Sequence, residues 1–261
     1  MIDPHHHAVL SSDDGIVAGT VEIDGAGGDR LEAYLARPVR PDARGGVVVI
    51  HHLPGYDAAT KEITRRFAVL GFDALCPNLY SREAPGADPD DAAAAVRARG
   101  GVPDDRLVGD VAGAAEHLRD LPSSNGRVGV IGYCSGGRHA FLAACSLQLD
   151  AAVDCYGAYV VETPAPESPL RAQPLLGLAD QLSCPLLGLF GADDQHPDPA
   201  AVEQLVQALR AADKPVETVV YDGAGHAFFA TDRPSYRPHA AVDGWQRISS
   251  FFGEHLGRAV S

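Results

Sequence analysis

Three short stretches of the chain carry residue types that can do covalent chemistry together. The first is Gly132-Tyr133-Cys134-Ser135-Gly136-Gly137, a cysteine between closely spaced glycines at the end of an apolar run. The second is Gly191-Ala192-Asp193-Asp194 and the third Gly223-Ala224-Gly225-His226, each following an apolar run of its own. A thiol becomes a strong nucleophile when an imidazole takes its proton and a helix N-terminus favours the thiolate. The imidazole needs a carboxylate to fix its tautomer and orientation. Cys134, His226 and an aspartate supply these roles. Asp194 is the preferred acid, because a Gly-x-x-Asp step lets the chain leave its strand before the carboxylate turns inward; Asp193 is the alternative. Each stretch taken singly also reads as an ordinary turn or an inert cysteine. Their order and their places at successive strand ends are what point to chemistry.

The elements that must position them follow from periodicity. Ile16–Ile23 and Leu31–Ala36 alternate apolar and polar residues around Gly25–Arg30, which predicts an antiparallel hairpin. Gly46–His51, Phe72–Cys76, Arg127–Tyr133, Ala151–Tyr156, Pro185–Phe190 and Val216–Tyr221 are short apolar or alternating runs that predict strands. Between them lie helical patterns over Thr60–Leu70 (with Gly71 to end it), Asp88 to Gly100-Gly101, Asp104–Leu121, Gly136–Leu149 and Pro199–Ala212, with a last amphipathic helix over Ala240–Leu256. Strands alternating with helices imply right-handed crossovers and an α/β fold: a mostly parallel sheet with an antiparallel N-terminal hairpin and helices on both faces. In such sheets ligands bind beyond the carboxyl ends of the strands, where the three stretches fall. With neither a repeat nor a long low-complexity linker, residues 15–261 are expected to form a single domain, preceded by a flexible segment 1–14 that contains His5-His6-His7.

Gly-x-Cys-x-Gly-Gly is the nucleophile elbow of the α/β-hydrolase fold with cysteine in place of serine, and nucleophile, acid, histidine is that fold's chain order. From about Gly45 to Phe252 the pattern resembles the dienelactone hydrolase family. The elbow carries the resemblance, together with Cys76-Pro77-Asn78-Leu79-Tyr80 and Gly225-His226. It implies no cofactor, no metal, and hydrolysis of a small lactone or activated ester through a thioester on Cys134. The backbone N–H groups of Leu53 and Ser135 are then expected to form the oxyanion hole. Two positions depart from the family pattern. His52 stands where the family usually has a glutamate that helps activate the cysteine, and is expected to line the pocket. Of the family's two substrate-carboxylate arginines one is matched by Arg82, while the other position holds Ala230. Tyr133 and Phe228 are further substrate-binding candidates among Phe229, Tyr156 and Tyr159, and the proline-rich Val160–Pro174 reads as a segment covering the site or as an inert insertion.

The formal charge of −14 argues against nucleic acid or an anionic membrane surface as a partner. Five scattered cysteines (76, 134, 145, 155 and 184) form no C-x-x-C pair, which fits a reducing, cytoplasmic setting better than a zinc cage or a disulfide framework. No apolar run is long enough to span a bilayer. The expected partner is a small-molecule substrate, with the chain a monomer or homodimer. Two other readings remain: an isomerase or lactone-forming cyclase of secondary metabolism using the same site with His52, and a binding protein on a hydrolase scaffold.

Overall fold

The continuous apolar runs become strands covered on both faces. In the computed structural model, which describes residues 15–40 and 42–257, the strands are β1 (Ile16–Asp24), β2 (Arg30–Pro38), β3 (Arg44–Ile50), β4 (Asp73–Pro77), β5 (Ser124–Tyr133), β6 (Ala151–Cys155), β7 (Leu186–Gly191) and β8 (Val216–Tyr221). Every residue of β3, β4, β6 and β7 is buried. They form one sheet in the order β1-β2-β4-β3-β5-β6-β7-β8. β1 pairs antiparallel with β2, and β2 with β4; the other neighbours are parallel. The segment 1–14 and its histidines lie outside the described residues.

Among the described residues six helices cover the sheet: α1 (Ala58–Val69), α2 (Pro89–Ala98), α3 (Asp104–Arg119), α4 (Ser135–Ser146), α5 (Pro199–Ala211) and α6 (Pro238–Leu256). Leu107 and Val111 of α3, Phe141 of α4 and Leu205 of α5 belong to one buried cluster. Phe67 of α1 with Trp245 and Phe252 of α6 belong to another, across the sheet. The helix starts are written locally. Asp57 and Asp198 cap α1 and α5 by accepting the N–H groups of Thr60 and Ala201, and Pro89, Pro199 and Pro238 begin α2, α5 and α6. Differences from the expected pattern lie at ends and in links. β5 begins at Ser124, α4 stops at Ser146 because Leu147 is extended, and short 3-10 turns occupy Ala26–Gly28 and Leu176–Gln181.

The chain leaves β3 toward β4 on one side and β5 toward β6 on the other. The crevice between the carboxyl ends of β3 and β5 is therefore the sheet's switch point.

Arg82 takes no part in that crevice, contrary to the substrate-clamp expectation. Its Nη1 and Nη2 donate to the two oxygens of Asp110, each at 2.8 Å, and its Nε donates to Asp29 at 2.8 Å. Asp110 is wholly buried on α3 and also accepts the N–H of Ala26 at 2.9 Å. The guanidinium thus ties the N-terminal hairpin to α3. Breaking a buried pair strands the remaining charge, at a cost of roughly 3–5 kcal/mol. Asp110→Ala is therefore expected to lose a few kcal/mol in urea denaturation with little change in KM, whereas a substrate-binding Arg82 would shift KM instead.

Candidate active site

Cys134 sits between the last residue of β5 and the first of α4 with φ 57° and ψ −122°, a left-handed backbone that costs a non-glycine residue about 1–3 kcal/mol. The flanking glycines make this bend possible. A Cβ on Gly132 would lie 1.8 Å from the carbonyl oxygen of Gly136, and one on Gly136 would lie 2.5 Å from that of Ile50. Hydrogen bonds hold the turn on both sides: Cys134 N–H donates to Cys155 at 3.0 Å, and Gly137 N–H donates to Cys134 at 2.9 Å. Ser135 opens α4, so its N–H has no acceptor within the helix.

The other two loops arrive cross-bonded. Asp193 N–H donates to Ala224 at 2.9 Å and Ala192 N–H to Tyr221 at 3.0 Å, which locks the loop after β7 to the loop after β8. His226 Nδ1 then lies 2.9 Å from Asp194 Oδ2, and Asp194 Oδ1 accepts the N–H of His196 at 2.9 Å. Asp194 is buried and Asp193 is exposed, so Asp194 is the aspartate that meets the imidazole. Burial opposes a charged ring at His226. Hydrogen bonds with Asp194 and Cys134, and their charges, outweigh it and raise the imidazole to about 10.

Cys134, Ser135, Leu53, Asp194 and His226 line one cavity of about 750 Å³. Tyr159, Leu170, Arg171 and Ala172 line it too, and Arg171 N–H donates to Gly100 at 2.9 Å. The proline-rich segment therefore closes the cavity against the loop between α2 and α3.

Three further expectations need correction. His52 does not line the cavity: its Nε2 pairs with Asp57 at 2.9 Å, and Asp57 is already the cap of α1. The opposed effects at Asp57 are instructive. Burial pushes its carboxyl up, yet hydrogen bonds from His52 and Thr60 hold it near 2. Tyr133 and Phe228 are buried behind the site, not in it. Tyr133 packs edge-on against Phe229 at 5.6 Å, and Phe228 stacks on Phe229 at 4.7 Å. Tyr156 links that aromatic block to the His226 ring at 5.1 Å. Aromatic residues beside a catalytic motif are as useful for fixing it as for touching a ligand.

Sequence reasoning overlooked residues that shape the Leu53 loop. His51 is buried, and its Nδ1 donates to the His52 carbonyl while Nε2 accepts the N–H of Leu79. That pattern requires a neutral ring, and burial lowers His51 to about 4. Tyr80 donates its hydroxyl to the Leu53 carbonyl at 3.0 Å and faces the cavity. The available signal was a polar His51 closing an apolar strand, where a buried imidazole needs partners.

The model of the dienelactone hydrolase family matches residues 31–256, and the chain belongs to that family. It is 38% identical to a protein of Escherichia coli (strain K12) named "Putative carboxymethylenebutenolidase", covering 96% of this chain and 92% of the relative. It is 31% identical to a Bradyrhizobium protein named "Probable 2-oxo-3-(5-oxofuran-2-ylidene)propanoate lactonase", covering 89% and 92%. A crystal structure described as "Putative Dienelactone Hydrolase" from Klebsiella pneumoniae superposes with a TM-score of 0.80 at 33% identity, covering 92% of this chain and 99% of that one. Among the described residues no helix is long and apolar enough to cross a membrane.

One buried acid beside the site gives a stability test. Asp154 is wholly buried at the end of β6. Its Oδ1 accepts the Gly157 N–H at 2.7 Å, while Oδ2 is buried without a partner. Burial raises its carboxyl to about 7, despite the Gly157 bond. The folded state thus keeps a proton that the unfolded chain releases near pH 4. This group's contribution is favourable below that range and is lost as pH rises toward 7. Asp154→Asn is expected to remove this group's fall in Tm between pH 4 and pH 7; an identical pH slope in wild type and variant across that range would contradict the assignment.

Proposed function

We propose that this chain hydrolyses a small lactone or activated ester with Cys134 as nucleophile, His226 as proton carrier and Asp194 as the group that orients His226. The observation that carries the proposal is the half-buried Cys134 at a strained elbow, lining one cavity with an imidazole whose Nδ1 meets a buried carboxylate. Family membership and the names of the relatives agree with lactone hydrolysis.

In this reading the Cys134 thiol gives its proton to His226, the sulfur attacks the acyl carbon, and the N–H groups of Ser135 and Leu53 receive the developing oxyanion. The acyl C–O bond breaks as His226 gives its proton to the leaving oxygen, which leaves a thioester on Cys134. His226 then removes a proton from water, whose oxygen attacks the thioester; the acid departs and the sulfur–imidazole pair is restored. No step requires a group beyond these residues and water. The isomerase or cyclase reading rested on His52 at the reacting centre, and that imidazole is engaged with Asp57 instead.

The other four described cysteines are buried, and burial pushes their thiols up, Cys145 and Cys184 to about 12. Iodoacetamide is therefore expected to alkylate Cys134 first and to stop turnover in step with that single modification. Cys134→Ala should lower kcat/KM for ester or lactone hydrolysis by roughly a thousandfold or more. Full activity in that variant would overturn the proposal. Heavy-oxygen water should place one solvent oxygen in the acid product, as an isomerase would not. Activity should also fall at high pH as His226 loses its proton, since the raised value near 10 sets where the acid for the leaving group disappears.

A further inference from the structure

The wall of the cavity carries an unusual charge. Four arginines line the cavity, from α2 (Arg97), just after it (Arg99), α4 (Arg138) and the proline-rich segment (Arg171). Arg138 is buried and committed: its two terminal nitrogens donate to Asp104 at 2.7 and 2.9 Å, and Nη2 also donates to Gln173. Arg97, Arg99 and Arg171 are exposed at the mouth, and among the described residues none of the three side chains makes an ion pair. The acids that line the same cavity are Asp104, Asp194 and Asp193. Asp104 is spent on Arg138 and Asp194 on His226, so Asp193 alone faces three free cations. That excess stands out on a chain whose formal charge is −14.

A position at a helix C-terminus explains cations at Arg97 and Arg99 without any ligand, because the last carbonyls of α2 attract them. It does not explain Arg171. This residue arrives from a separate loop, its N–H donates to Gly100, and its Cγ and Cδ would lie 2.9 Å from a Cβ on Gly100. Two elements distant in sequence thus bring like charges to one rim, which is unfavourable unless an anion sits between them. Tyr80, Val96, Val102, Leu170 and Tyr159 also line the cavity. Its volume of about 750 Å³ is large for a small bare lactone and within the range of pockets that take drug-sized ligands.

We infer that Arg97, Arg99 and Arg171 form an anion subsite in this cavity, so that the preferred substrate is an ester or lactone with an apolar body ending in a negatively charged group. The inference rests on the proposed function only in taking this cavity as the substrate site. It differs from the Arg82 clamp in its residues: Arg82 is engaged with Asp110 and Asp29, whereas these three arginines line the cavity itself.

Two chromogenic probes test this, p-nitrophenyl octanoate and the mono-p-nitrophenyl ester of suberic acid, which share an eight-carbon acyl chain but differ in a terminal carboxylate. Wild type is expected to favour the suberate by about tenfold in kcat/KM at low salt, mainly through KM, and to lose that preference as ionic strength rises. In the triple variant R97Q/R99Q/R171Q the suberate-to-octanoate ratio should fall to about one, and the matching triple lysine variant should retain most of it. A ratio unaffected by the glutamine substitutions, or a wild-type preference for octanoate, would overturn the subsite. Failure of the cysteine mechanism is a separate result, seen as octanoate turnover that survives Cys134→Ala.

Discussion

A thiol can act as a nucleophile here only if the backbone beneath it is forced into a turn that cysteine does not favour. The close approach of Gly132 to Gly136, and of Gly136 to the end of β3, is what permits it. With a side chain at either glycine, β5 and α4 would separate and Cys134 would relax away from the strand ends. The strain is not confined to the elbow. Of the five described non-glycine residues with positive φ, Cys134, Tyr156, Tyr159 and Ala227 all lie at or beside the site. Such conformations persist only when the surroundings over-determine them. Here the aromatic block of Tyr133, Tyr156, Phe228 and Phe229, and the bonds between the loops after β7 and β8, provide that support.

The succession of strands and helices along the chain and the mostly parallel sheet with its antiparallel N-terminal hairpin were legible in the sequence, as were the three strand ends that carry Cys134, Asp194 and His226. Each depends on local chemistry: apolar runs long enough to be strands, glycines beside the thiol, and acid and histidine at strand ends. The preference for Asp194 over Asp193 also agrees with the geometry, because the extra residue carries the carboxylate inward. What escaped reading depends on where side chains point after the chain has turned. Arg82 was placed by analogy with a substrate clamp, yet Asp110, 28 residues away, meets it in space. His52 follows the strand as the expected glutamate would, but Asp57 draws it to the start of α1. Tyr133 and Phe228 adjoin catalytic residues and face the core. Adjacency in sequence does not specify which face a side chain takes.

The departures bear on substrate choice more than on chemistry. Cys134 sits at the sheet's switch point, and Asp194 and His226 reach it from loops bonded to each other and backed by the aromatic block, so in the proposed reading they can stay fixed while the rest of the cavity wall varies. That wall is built from the end of α2, the loop that follows it and the proline-rich segment, which are the parts least constrained by the sheet. Arg82, meanwhile, serves the hairpin. A family member can in this way keep its means of opening an acyl bond while changing what it holds at the other end.

The central claim is that the acyl group passes through Cys134. Acid quenching of a turnover mixture in its first moments, followed by intact-protein and peptide mass analysis, tests it most directly. The account predicts a transient mass gain equal to the acyl group, located on the peptide that contains Cys134, released by hydroxylamine and absent from the Cys134→Ser protein under the same conditions. Undiminished hydrolysis with no such adduct, or an adduct on another residue that forms and decays at the rate of turnover, would contradict it.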